Sequence, residues 1–330
     1  MSKVTIKDIA KYLDIHPSTV SRALRDHPDV GKELKASIIE LSERLGYQPN
    51  ITAINLRKGR SGIIALIIPE VANYFFPNVI KAVEEIVHAE GYQLLILNSN
   101  DIYLREKQNA EICVRLGVDG ILVSLCKESS ELEHFKELIS RGIPMVFFDK
   151  IKQDSDTCKV SIPGEQAAYD GISYLLKNNR NIKRIAGIFG DERLSISQDR
   201  LSGFRRALFD HGIKPGPGLI HFAYHSEEAE EVFKYIWNGK NRPEGLFIMS
   251  DEILQGVIKA AYELRLSLSR EIKTISMSDG FLPNICQFKI PYVKTSGFDL
   301  GKKAAQLLLQ QLKEQRIIKG NYFIETPLID

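Results

Sequence analysis

No stretch of the chain approaches the roughly 18 consecutive apolar residues that a membrane span needs, so no membrane partner is expected. Cysteine is sparse and scattered. Cys113, Cys126, Cys158 and Cys286 form no CxxC pair. That argues against a disulfide scaffold or a zinc site and fits a reducing compartment. The opening "MSKVTIKDIAKYL" carries charges inside its apolar pattern, unlike a secretory signal; a cytoplasmic location is the expectation. The loops and dyads of common enzymes are missing too. No GxGxxG follows a strand-like run and no GxxxxGK[ST] occurs, so no phosphate cradle is visible. There is no GxSxG elbow. "GIFGDE" has two glycines and lacks the third. The seven histidines include no HExxH and no i, i+4 pair within a helical pattern. No cofactor and no metal are expected.

What is present is an asymmetry of charge. The 330 residues hold 44 Lys and Arg against 42 Asp and Glu, enough chain for two or three domains. Residues 1–61 carry 11 basic and 7 acidic side chains, leaving 33 and 35 for the rest. A basic head on a slightly acidic body suggests a polyanionic partner for the head.

"TIKDIAKYL" is predicted to be a short helix, with Thr5 as cap and Asp8 completing a capping box. Ile6, Ile9, Ala10 and Leu13 share one face. A turn at "DIH" leads to Pro17, placed at the first turn of a second helix, where proline is best tolerated. Val20, Ala23 and Leu24 form that helix's apolar stripe. Ser18, Thr19, Ser21, Arg22 and Arg25 are left on the outer faces. A third helix is expected from about Lys32 to Leu45, stopping at Gly46. Three short helices with a tight first turn make a helix-turn-helix pattern. Hydroxyls and arginines suit phosphate oxygens and base edges, although a solvated face of a small bundle has the same composition.

"TIKDIAKYLDIHPSTVSRAL", followed by "V.K.....I.ELSERLGYQPN", resembles the DNA-binding head of the lactose-repressor (LacI/GalR) family. The resemblance implies that Pro17, Ser18 and Arg22 occupy base-reading positions. Thr19, Ser21 and Asn50 would mainly hold the DNA backbone, and Thr5 joins them as a candidate DNA contact. Two positions depart from the family pattern. Asp14 replaces the usual Gly and tolerates a left-handed turn. His16 replaces the usual Ser and is a poorer cap, so the start of the recognition helix is expected to be less fixed. In the linker "NITAINLRKGRS", Ala53 and Leu56 match the positions from which the family inserts a leucine into the minor groove. Arg57, Lys58 and Arg60 are available there for phosphates.

From residue 62 onward, apolar runs alternate with amphipathic segments. "GIIALIIP", "QLLILNS", "GILVSL", "PMVFFD", "RIAGIFG", "GLIHFAY", "GLFIMS" and "KTISMS" are expected strands. Such runs alternating with helices mean parallel sheets covered on both faces. The fold class is thus an all-α helix-turn-helix head followed by an α/β body of two parallel-sheet subdomains. The resemblance makes those subdomains periplasmic-binding-protein-like. It divides the chain into a head (1–49), a hinge (50–61) and an effector-binding and dimerisation body (62–330). Lobe 1 would take 62–160 and 291–322, and lobe 2 would take 161–290 and 323–330.

Ligands in such sheets bind outside the carboxyl ends of the strands. Asp149, Asp251 and Asp279 each end or follow a strand, and ionised Asp accepts bidentate hydrogen bonds from hydroxyls. The plainer role for a strand-end Asp is to cap the next helix, for Asp251 in particular. By resemblance Asp149, Arg200 and Asp279 match effector contacts, while Phe76 and His225 sit near aromatic positions of the ligand site. Ser250-Asp251, Pro163-Gly164 and Thr295 depart from the family's polar frame, which thins it. The expected function is a sequence-specific transcriptional regulator, a repressor, bound to double-stranded operator DNA as a homodimer. A sugar-like effector between the lobes would control it. A cytoplasmic sugar-binding or sugar-modifying enzyme is the alternative. The ending "ETPLID" shows no heptad tail, so a dimer rather than a tail-assembled tetramer is expected.

Overall fold

A computed structural model describes residues 4–47, 60–72, 75–129, 131–151, 156–214, 216 and 218–330. The chain divides into two compact units, Met1–Ser61 and Gly62–Asp330.

In the first unit, α1 (Ile6–Tyr12), α2 (Pro17–Ala23) and α3 (Lys32–Arg44) enclose a core of Ile9, Ala10, Val20, Ala23, Val30, Ile38 and Leu41. The Asp8 carboxylate accepts from the Thr5 backbone N–H at 2.8 Å and from its hydroxyl at 2.7 Å, fixing the start of α1. Asp14 takes φ +54° in the turn, as its short polar side chain allows. His16 caps α2. Its Nδ1 accepts from the Ser18 N–H at 3.2 Å and meets the Ser18 hydroxyl at 2.7 Å. The expectation of a loosely fixed recognition helix is therefore corrected: the ring nitrogen takes the place of a serine oxygen.

The second unit holds β1 (Ile63–Ile68), β2 (Gln93–Asn98), β3 (Gly120–Val123), β4 (Met145–Phe148), β5 (Cys158–Ser161), β6 (Ile185–Phe189), β7 (Ile220–Phe222), β8 (Gly245–Ile248), β9 (Lys273–Ser278), β10 (Tyr292–Lys294), β11 (Gly320–Phe323) and β12 (Leu328–Ile329). Its α-helices are α4 (Phe75–Ala89), α5 (Tyr103–Leu116), α6 (Lys136–Ser140), α7 (Gly164–Asn178), α8 (Ser195–Asp210), α9 (Ser226–Asn238), α10 (Asp251–Glu263), α11 (Phe281–Ile285) and α12 (Gly297–Glu314). The first sheet has the order β11-β5-β4-β3-β1-β2 and the second β12-β10-β9-β8-β6-β7. The pairings are parallel except that of β10 with β12. Strands β3, β4, β6 and β8 are buried along their whole length, which is why their sequences read as unbroken apolar runs.

One boundary moves. Residues 292–294 pair with β9 in the second sheet, not in lobe 1 where the sequence put residues from 291 onward. The change of lobe comes after β10, because α12 buries Leu300, Ala304 and Leu308 in the core of the first sheet. The chain thus passes between the sheets after β5, between β10 and α12, and between β11 and β12. Ile162, on the first of these crossings, packs against both cores.

Helices α7 and α8 meet at Gly203, where an added Cβ would lie 2.0 Å from the Glu165 carbonyl oxygen. Backbone cannot retreat as a flexible side chain does. Gly203→Ala is therefore expected to cost about 1–3 kcal/mol, seen as a lower melting temperature of the body in calorimetry. An unchanged melting temperature would show that the helices slide apart freely.

Candidate functional site

On the first unit, Pro17, Ser18, Ser21 and Arg22 line one groove with Ile6, Lys7, Arg25 and His27. Ser18, Arg22 and Arg25 are exposed there. Arg22 has no side-chain partner among the described residues. Ser21 corrects an expectation: it is buried rather than on an outer face, and its hydroxyl accepts from Arg25 Nη2 at 2.7 Å. It holds Arg25 toward the groove. Thr19 is half-buried, and Thr5 is committed to the cap of α1; neither lines the groove. Lys7 and His27 were missed, since neither falls on the recognition helix. Asn50, Ala53, Leu56 and Arg57 lie outside the described residues.

In the second unit a cleft of about 480 Å³ opens at the carboxyl ends of the strands of both sheets, where open α/β sheets bind ligands. It brings together Phe76, Asp149, Arg200, His225 and Asp251. Phe76, at the start of α4, is buried and meets Phe75 edge to face at 5.5 Å. Asp149 leaves β4 at φ +59°. Burial pushes its carboxyl up, against the pull of Lys150 and Arg200.

Arg200 is 5% exposed, on the inner face of α8. Its Nη1 donates to the Met249 carbonyl at 2.6 Å, while its buried Nε finds no acceptor. Burial lowers the guanidinium to about 10, opposed by Asp149, Asp251 and Asp199. It stays charged at neutral pH, with donor capacity unspent in a desolvated site, and such a group is expensive to leave unpaired.

Asp251 is not the helix cap. Ser250 caps α10, accepting from the Ile253 N–H at 3.5 Å. Asp251 instead accepts from the Ser278 hydroxyl and, at 2.7 Å, from the Asp279 N–H, tying the end of β9 to α10. Burial raises its carboxyl to about 6 despite those donors. His225 caps α9 at the exposed rim, its Nδ1 accepting from the Glu228 N–H at 3.4 Å.

Asp279 is placed elsewhere. It does not line the cleft. One carboxylate oxygen accepts from Asn78 Nδ2 at 2.6 Å and the other from the Gly297 N–H at 3.3 Å. Leaving β9, it faces the amino ends of α4 and α12 and joins the second sheet to helices of the first.

Several cleft residues were missed. Asp101 follows β2 at φ +56° and accepts from the Lys127 N–H at 2.8 Å and from Lys150 Nζ at 3.2 Å. Asp191 follows β6 and is gripped by Arg193 through Nε at 2.9 Å and Nη2 at 2.5 Å. Both obey the strand-end rule that found Asp149, so "NSND" and "GIFGDE" held the signal.

The lining sets six acids (Glu70, Asp101, Asp149, Asp191, Asp251, Glu252) against three fixed cations (Lys127, Lys150, Arg200). No group of three or more metal-ligating side chains occurs among the described residues. No helix among them is long and apolar enough to cross a membrane.

Residues 5–50 match the bacterial regulatory proteins of the lacI family, and residues 64–315 match the periplasmic binding protein domain. This chain belongs to the LacI family. It is a DNA-binding transcription regulator, as the groove around α2 also indicates. The regulator RegA of Clostridium saccharobutylicum is 26% identical over 329 residues, covering 99% of this chain and 98% of that one. The ribose operon repressor of Halalkalibacterium halodurans is 26% identical over 325 residues, covering 98% and 95%. Among solved structures, the lac repressor dimer bound to operator and the anti-inducer ONPF has a TM-score of 0.85 at 18% identity, covering 100% and 98%. The CelR–cellobiose complex has a TM-score of 0.73 at 17% identity, covering 99% of each chain. The curated LacI-family relatives are regulators, which favours that function over the enzyme alternative.

Proposed function

We propose that this LacI-family protein is a cytoplasmic repressor. It binds a pseudo-palindromic operator as a homodimer and answers to a neutral, hydroxyl-rich effector, a sugar or sugar derivative, held in the cleft. The carrying observation is Arg200, buried with an unpartnered Nε among the carboxylates of the cleft. A hydroxyl accepts from the guanidinium and donates to a carboxylate, so polyols satisfy both halves of the lining. The excess of acids disfavours phosphorylated sugars and sugar acids. The ribose operon repressor and the cellobiose complex among the similar proteins support a sugar.

On the DNA side, Pro17, Ser18 and Arg22 present themselves to base edges, while Lys7, Thr19, Arg25, Asn50 and Arg57 serve the phosphates; Thr5 acts through the cap of α1 and Ser21 by holding Arg25. Ala53 and Leu56 enter the minor groove. In the cleft, Phe76 gives the sugar an apolar face. Asp149, Arg200 and Asp251 bond its hydroxyls, and His225 closes the rim. Asp279 acts by holding the lobes together. Selection from random duplexes should recover a two-fold symmetric site, whose affinity falls linearly on a log–log plot against salt. A sugar that raises the melting temperature should shift that affinity by roughly 5- to 150-fold. Recovery of no preferred sequence, with or without sugars, would end the proposal.

A further inference from the structure

At the amino ends of the second sheet's strands, opposite the cleft, the loops before β6, β8 and β9 surround a broad basin of about 750 Å³ beside Trp237. Its lining holds six cations (Lys177, Arg180, Arg184, Arg242, Arg270, Lys273) and two carboxylates (Glu244, Glu271). Both carboxylates accept hydrogen bonds from the surrounding loops. Glu244 accepts from the Lys183 and Arg184 N–H groups at 3.1 and 2.6 Å and pairs with the Arg184 guanidinium at 3.4 Å. Glu271 accepts from the Ser267 N–H at 2.7 Å. Lys273 donates to the Ser269 carbonyl at 2.7 Å. Lys177, Arg180, Arg242 and Arg270 are left with no carboxylate partner among the described residues.

Other cations of the body do have carboxylate partners. Arg206 pairs with Glu165, Lys259 with Glu230, and Lys313 with Glu90. The plain explanation is that cations here answer the negative ends of α7 and α9, which stop at Asn178 and Asn238. A helix end supplies about half a charge, so two of them answer about one of four unpaired cations. The remainder is a concentrated positive field on a body that is otherwise slightly acidic. Trp237 adds a second kind of contact. Arg242 lies over its indole at 4.7 Å from the ring centre, forming a flat platform on which a planar ring can stack.

We propose that this basin is a second ligand site, distinct from the cleft, for a nucleoside polyphosphate. Lys177, Arg180 and Arg270 would receive the phosphates as charge-assisted donors, and the base would stack on the Trp237–Arg242 platform. The convergence of cations on one basin fits a compact anion, and its volume lies in the range of small-molecule sites.

Trp237 is the chain's single tryptophan, so its emission in the full-length protein reports on this basin alone. ATP is the probe. Its titration, corrected for absorbance, is expected to quench Trp237 saturably with a Kd below about 1 mM. Tripolyphosphate, lacking the ring, should bind at least about tenfold more weakly. The double variant Arg180→Glu/Arg270→Glu should weaken ATP by at least about tenfold; both residues are exposed and unpartnered, so the fold does not depend on them. The gentler Arg180→Ala should weaken it about threefold. Absence of saturable quenching, or unchanged ATP affinity in both variants, overturns the site. Tripolyphosphate binding as tightly as ATP overturns the stacking platform and with it the nucleoside assignment. None of these readouts involves operator or sugar, so failure here is separable from failure of the regulator proposal.

Discussion

Replacing Arg22 by alanine is expected to remove sequence preference while leaving most salt-dependent binding in place. Arg22 is exposed on the groove face of α2, without a side-chain partner to lose, so the fold of the head should not suffer. A bidentate arginine–guanine contact supplies about 1–3 kcal/mol of discrimination. A two-fold dimer uses it twice, about 2–6 kcal/mol in all, so the operator affinity should fall by roughly 30- to 20,000-fold. Affinity for a scrambled duplex should change by a few-fold only, because Lys7 and Arg25 remain on the same groove to meet phosphates. Fluorescence anisotropy on the selected operator and its scrambled version, at several salt concentrations, separates the two effects. If both duplexes weaken equally, Arg22 holds phosphate rather than a base. Arg25→Ala should then be compared, since Ser21 fixes that side chain at 2.7 Å.

The second large effect is expected at Arg200. Arg200→Ala should abolish the thermal shift produced by the sugar that stabilises the parent, with affinity falling on the order of 100-fold. The variant removes the donor that faces the ligand and strands Asp149 and Asp251 beside a smaller positive charge. Some loss of stability follows, so circular dichroism must establish that the variant is folded before its affinity is compared. A folded variant with parental sugar affinity would remove Arg200 from the site. A calorimetric titration of the parent with that sugar, run across pH, has a predictable sign. Burial raises Asp251 to about 6, above its value in the unfolded chain. Its protonation therefore favours the empty folded body, and that contribution is lost as pH rises through about 6. A ligand whose hydroxyls donate to the ionised carboxylate behaves oppositely. Its affinity should be full above pH 6 and decline below it.

Much of the fold was legible because the central strands are buried on both faces, which forces runs such as "IIALII" and "MVFF". The strands that escaped are β5, β10, β11 and β12. They are short, and "CKVS" and "GNYF" carry too few apolar residues to stand out. β11 and β12 lie at sheet edges, where one side needs no covering, and β5 and β10 are the strands next to them. Their loss displaced the lobe boundary at residue 291. The cleft was legible where a strand ended in Asp, and incompletely so because the rule was applied to three strands and not to β2 or β6. Asp279 shows its limit. Position after a strand says where a carboxylate stands, and only the neighbouring helices decide what it meets. His16 shows another limit, since a mean ranking of caps does not foresee a ring nitrogen well placed by its own backbone.

The three chain crossings have a mechanical consequence. They leave the first sheet from β5 and β11, its two strands on one edge, and reach the second beside β10 and β12, again neighbours on one edge. All covalent connection between the halves is thus gathered along a single side, like the spine of a book. For any angle of opening, the pages travel farthest at the free margin, where Asn100 and Asp101 leave β2 and Tyr224 follows β7. Small rotations that barely disturb Ile162 would become large displacements there, so that margin is the natural gauge of how far the molecule has shut.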